Sequence, residues 1–200
     1  MAGKRADPLK RLVDAALALA AERPWATVSL ADITARAGLN LSAVHAHAPS
    51  KSHLVRAWLC EVDGAVLAGS SPSPKDSVRD RLFEVLMRRV DALRPHKQAV
   101  ASILHGLTAD PVAALCGWPA LLRSMSWMLE AASLDASGVR GALRARGLAL
   151  VWLATLRAFL ADESEDLGST MAALGKALKR AEPFGRLLDG AGRPPSQEAA

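Results

Sequence analysis

Five histidines and two cysteines are the residues of this 200-residue chain best suited to bind a metal or attack a carbonyl. Their spacing argues against both. His45 and His47 stand two apart in a helical stretch and so do not share a face. His53, His96 and His105 fall in separate helical segments, with no His-Glu-x-x-His run. Cys60 and Cys116 form no Cys-x-x-Cys pair and read as small apolar residues of a reducing compartment. The acidic run Asp162-Glu-Ser-Glu-Asp166 lacks the spaced ligands and glycine of a calcium loop, so a solvated turn between helices accounts for it better. There is no Gly-rich phosphate loop and no nucleophile elbow. The chain is therefore expected not to be an enzyme and to need no metal or cofactor.

Residues 29–51 suit a different chemistry, the recognition of a polyanion. Ser29 opens a helix with Asp32 three residues on, a variant of the capping box. Ile33 and Ala37 carry its apolar face, and Gly38 ends it in a left-handed turn. Leu39 is placed to plug the angle of the turn. Asn40 then caps a very short helix to about Ala48, and Pro49 stops it. This spacing is a helix-turn-helix. Val44 faces inward, while the small or polar Asn40, Ser42, Ala43, His45 and Ala46 leave room for a groove wall. Helix N-termini also favour phosphate. The charge agrees: in residues 1–60 eight bases face four acids, leaving +4 of the chain's net +5, a basic end on a nearly neutral body.

The elements that must position this motif are all helical. Half the residues are hydrophobic, and Ala and Leu outnumber β-branched types. Asp7 caps and Pro8 begins a first helix along Leu9, Leu12, Val13, Ala16, Leu17 and Ala20, which Pro24 stops. Ser50 caps a fourth helix carrying Leu54, Val55, Trp58, Leu59 and Val62. The Gly-Ser-Pro stretch 69–75 marks a boundary. Further helices are predicted over about 77–93, 100–107, 120–132, 139–161 and 166–180. Asp110-Pro111 and Gly117-Trp118-Pro119 read as punctuation. The domains are expected at 1–66 and 76–189, with 190–200 a disordered tail.

The string Ser29-Leu-Ala-Asp-Ile-Thr-Ala-Arg-Ala-Gly-Leu-Asn40, followed by Ser42-Ala-Val-His45 and Pro49-Ser-Lys51, resembles the DNA-binding domain of the tetracycline-repressor (TetR) family. The resemblance covers about residues 8–66, and Trp25 matches an aromatic position. It implies an all-α fold, a three-helix DNA-binding domain on a helical body that binds a ligand and dimerises. It also implies DNA contacts at Ser29, Asn40, Leu41, Ser42, Ala43, His45, His47 and Lys51. Two departures stand out. The family usually has Tyr, a phosphate contact, where this chain has His45, and a Phe anchor where it has Ala48. Losing that anchor removes about 2–4 kcal/mol of packing unless Trp25 or Trp58 refills the space. No Arg or Gln lies on the recognition helix, so bidentate base readout is limited to Asn40.

The body is apolar. The run Gly147–Leu156 is hydrophobic all round and must be covered on every side, in part by its own chain and for the rest by a partner subunit or a lipophilic ligand. By the same resemblance the partners are double-stranded DNA, a second copy joined through the last two long helices, and a small apolar effector or lipid. Met87, Met125, Trp127, Met128 and Trp152 are candidates to line its pocket, Met being adaptable to irregular ligands. A second resemblance covers about residues 80–182. Arg81–Leu93, Arg123–Ala132 and Leu160–Thr170 are similar to the ubiquinone-biosynthesis accessory proteins, which share the TetR fold and bind lipid. It implies, as the alternative function, a lipid-binding accessory protein with a degenerate helix-turn-helix. Lys4, Arg5, Lys10 and Arg11 break any signal-like pattern, and the longest apolar run is far short of a membrane span, so a cytoplasmic protein is expected.

Overall fold

The computed structural model describes residues 7–69, 72–73 and 75–190. Every regular element among them is helical: α1 (Pro8–Glu22), α2 (Leu30–Ala37), α3 (Leu41–His47), α4 (Lys51–Leu67), α5 (Val78–Leu93), α6 (Lys97–Ala109), α7 (Pro111–Ala131), α8 (Gly138–Ala161) and α9 (Gly168–Gly190), with short 3-10 turns at Trp25–Thr27 and Arg94–His96. The all-α class read from composition is the class observed.

Two compact units divide these helices. Of the described residues, those in 7–65 and 91–120 belong to the first, and those in 66–90 and 121–190 to the second. In the first, α1 packs against α2, α3 and α6. Its inward stripe of Leu12, Val13, Ala16 and Ala20 meets Ile33, Val44, Leu54 and Ile103, all buried. In the second, α8 and α9 pair, and Trp152, Phe159, Leu174 and Leu178 join Met125 and Met128 in its core.

Local signals set most helix ends. Asp7 accepts a hydrogen bond from the Leu9 N–H, with Pro8 in the first turn. Ser50 Oγ accepts from the His53 N–H, 3.2 Å away, at the start of α4. At the start of α8, a Cβ on Gly141 would fall 2.0 Å from the Ala136 carbonyl carbon, so only glycine fits there. Asp162, just past the end of α8, is buried and caps the first turn of α9. One oxygen accepts from the Thr170 N–H and hydroxyl, each at 2.8 Å, and the other from the Ser164 N–H and hydroxyl. These hydrogen bonds hold its carboxyl well below the usual carboxylate range, the Ser164 hydroxyl contributing most. The acidic turn behind the second resemblance is thus, in part, a helix cap.

Two expectations need correction. Asp110-Pro111 does separate two helices, but Gly117-Trp118-Pro119 does not: α7 runs unbroken from Pro111 to Ala131 with Pro119 inside it. Pro111 takes the first position, where no donor is needed, and Asp110 accepts from the Ala113 N–H at 3.0 Å. Pro119 leaves the carbonyl four residues back without its helical donor. That carbonyl belongs to Leu115, which is exposed, so water can satisfy it. The last helix continues past Arg180 through Pro183 to Gly190; the expected disordered tail beyond it lies outside the described residues. The apolar run 147–156 is covered in part within the chain, as expected of one layer: Leu148, Val151, Trp152 and Leu156 are buried, while Leu150 is 65% and Leu153 39% exposed.

Candidate nucleic-acid interface

The helix-turn-helix forms as its local chemistry dictates. Ser29 Oγ accepts from the Asp32 N–H at 3.1 Å, and the Asp32 carboxylate accepts from the Ser29 N–H at 2.8 Å, completing a capping box. The Ser29 hydroxyl also donates to that carboxylate, and these contacts with Ser29, aided by Arg23, hold the Asp32 carboxyl below its ordinary value. Gly38 takes φ +62°, ψ 37°, left-handed backbone that a side chain rarely adopts. The Leu39 N–H closes the turn on Thr34 O at 3.0 Å. From α1, the Arg11 guanidinium donates to the carbonyls of Ala37 and Gly38 and ties the turn to the first helix.

On α3, Val44 is 3% exposed and Ala48, just after it, 0%. Leu41, Ser42, His45, Ala46 and His47 are all exposed, as is Asn40 before them. Leu41 is 61% exposed, and no other large apolar side chain among described residues 7–65 is exposed. Ala43 lies on the same helix. Ala48 fills the anchor position fully buried. Trp25 and Trp58 border a residual space of about 10 Å³ with Val13, Ala16, Leu17, Leu54, Val55 and Ile103, too little to hold a water molecule comfortably.

Lys51 differs from its neighbours on the motif. Its ammonium donates to Trp25 O at 2.8 Å and Val28 O at 2.6 Å, and lies 4.6 Å from the centroid of the Trp25 ring. Burial pushes its pKa down. The structure therefore gathers Asn40, Leu41, Ser42, His45 and His47 on one exposed helix and its approach. Lys51 turns inward to the Trp25–Val28 turn, while Ser29 stays exposed with its hydroxyl on Asp32. Arg11, Ser102 and Gly106 also shape the motif, and its spacing gave no hint of them. Their signals were faint: one of several charged residues on the first helix, and a serine and a glycine inside α6.

The residues proposed for a ligand pocket divide. Met125 and Met128 are fully buried, Trp152 is 3% exposed, and the Arg89 guanidinium lies 5.0 Å over its ring. Met87 is half-buried. Trp127, half exposed on the solvent side of α7, is apart from them. Among the described residues no group of three or more His, Cys, Asp or Glu is placed to hold a metal ion, and no helix is long and apolar enough to cross a membrane.

Residues 12–58 match the family model of bacterial regulatory proteins of the tetR family. Three solved structures share the fold of nearly the whole chain. A TetR transcriptional regulator from Nitrosomonas europaea ATCC 19718 is 24% identical with a TM-score of 0.69, over 87% of this chain and 97% of that one. One from Rhodococcus sp. RHA1 is 20% identical with a TM-score of 0.66, over 86% and 94%. A tetR-family regulator from Streptomyces coelicolor is 17% identical with a TM-score of 0.60, over 96% and 91%. No curated protein matches the chain significantly. Residues 12–58 are thus similar to the tetR-family DNA-binding segment, and the chain has the fold of these solved regulators.

Proposed function

We propose that the chain is a cytoplasmic, homodimeric, DNA-binding transcriptional regulator of tetR type. Its residues 1–66 bind DNA, and its residues 76–189 dimerise and take a small apolar effector. The observation that carries this reading is the one-sided exposure of α3. Val44 on its inner side and Ala48 just beyond its end are buried, while Leu41, Ser42, His45 and His47 are exposed on a short helix held by Gly38 and Arg11. A surface of this kind enters a major groove. With Asn40, Leu41, Ser42, Ala43, His45 and His47 at base edges and phosphates, two copies would place their recognition helices about 34 Å apart.

The exposed apolar stripe of Val139, Leu143, Leu150 and Leu153 on α8 supports dimerisation through the last two long helices. The buried Met125, Met128 and Trp152 support an apolar ligand site in the second unit. Equilibrium binding of the purified chain to duplex DNA from upstream of its own gene, over about 50–200 mM salt, tests the reading. Affinity is expected to fall steeply with salt as condensed counterions are released. Absence of duplex binding at the lowest salt would overturn it.

A further inference from the structure

Trp25 is held from two sides within the first unit. From α6, Ser102 Oγ accepts the Trp25 N–H at 2.9 Å and donates to Arg23 O at 3.2 Å. Gly106, one turn further, lies against the indole; a Cβ there would stand 3.3 Å from the ring. From α4, Lys51 reaches the carbonyls at both ends of the Trp25–Val28 turn and covers the ring face. An ammonium has three N–H donors. Two meet carbonyls here, and the charge rests on an aromatic face, which attracts a cation. Lys51 also begins α4, four residues after α3 ends. Wherever the Trp25 turn sits, the start of α4 must follow, and α3 with it.

On the reading that α3 binds DNA, we infer that Lys51 is a positioning residue and not a phosphate ligand. Its charge is committed to the Trp25 turn, and through Ser102 and Gly106 that turn makes the pose of the recognition helix depend on α6. This departs from the role that resemblance assigns to Lys51. It also gives α6, which carries none of the expected DNA contacts, control over affinity.

The two roles differ in salt dependence. Losing one phosphate contact flattens the slope of log affinity against log salt by about 0.9. Losing a positioning clamp lowers affinity at every salt concentration and leaves the slope unchanged. The experiment compares the full chain with Lys51→Met and Ser102→Ala, each checked for helicity, on upstream duplex at several salt concentrations. It also follows the Trp25 indole resonance by NMR. Lys51→Met is expected to lose about tenfold in affinity at constant slope. Ser102→Ala should lose affinity in the same way, and the double variant less than the product of the two. The indole resonance should move in both single variants. A flattened slope for Lys51→Met, together with wild-type binding by Ser102→Ala, would overturn the proposal. If not even the wild type binds duplex, the regulator reading fails. The clamp itself is then judged by the indole resonance, and an unmoved resonance in either variant overturns it.

Discussion

The Lys51 ammonium lies 4.6 Å from the centre of the Trp25 ring and donates to the carbonyl of the same residue at 2.8 Å. One aromatic residue outside the helix-turn-helix thus meets the first residue of the helix that follows it. Trp25 is also 9% exposed and borders the small residual space beside Leu54 and Trp58. Trp25→Leu removes both the cation–π contact and a large buried surface. Unfolding in urea should show a loss of about 2–4 kcal/mol, and wild-type stability would show that the indole is not part of the core.

Leu41 is the outlying apolar residue of α3, 61% exposed where Val44 is 3%. With no Arg or Gln on that helix, an exposed Leu at its start suits the thymine methyl, which offers an apolar contact in the major groove. Replacing thymine by deoxyuridine at one position in one half-site should weaken binding about fourfold, the effect of burying one methyl-sized group. The same replacement should cost Leu41→Ala nothing. Equal losses in both proteins would remove Leu41 from the readout.

The fold was legible because its signals are local. Asp7-Pro8, Ser29 with Asp32, Gly38 and Ser50 each act within a few residues, and each sits where the sequence placed it. Pro119 misled, because proline is tolerated in an exposed stretch of helix where water replaces the missing donor. Which face of 147–156 the chain itself covers was hidden, since an unbroken apolar run does not say where a second helix lies. At the candidate interface, the outward set on α3 followed from the position of Val44. The inward commitment of Lys51 did not. It depends on Trp25, 26 residues earlier, and on α6, and no spacing rule connects those positions.

Asp162 is predicted to give the second unit a stability that depends on acid. Its carboxylate receives four hydrogen bonds from Ser164 and Thr170 and is held well below the usual carboxylate value. A group whose folded pKa is depressed contributes stability above its unfolded pKa, near 4, and loses it as pH falls towards the folded value. Asp162→Asn leaves two of those donors without an acceptor. The urea midpoint should be lower at pH 7, and its decline from about pH 5 to pH 2 should be shallower than in the wild type. Parallel pH profiles would show that the cap contributes nothing.

The exposed face of α8 gives a prediction for assembly. Leu150 is 65% exposed at the middle of the stripe that includes Val139, Leu143 and Leu153. A charge there opposes burial against a second copy, because an unpaired buried carboxylate is costly. Leu150→Glu should run as a monomer in sedimentation equilibrium under conditions where the wild type is a dimer. A wild type that sediments as a monomer would remove the dimer from the account.

Selection of bound duplexes from a random pool by the purified wild-type chain tests most directly whether α3 reads DNA. The account predicts enrichment of a two-fold symmetric site, its half-site centres about one helical turn or a multiple apart, and loss of that enrichment when Ser42, His45 and His47 are replaced together by alanine. A recovered pool no different from the starting one, or a site equally enriched by the triple variant, would contradict it.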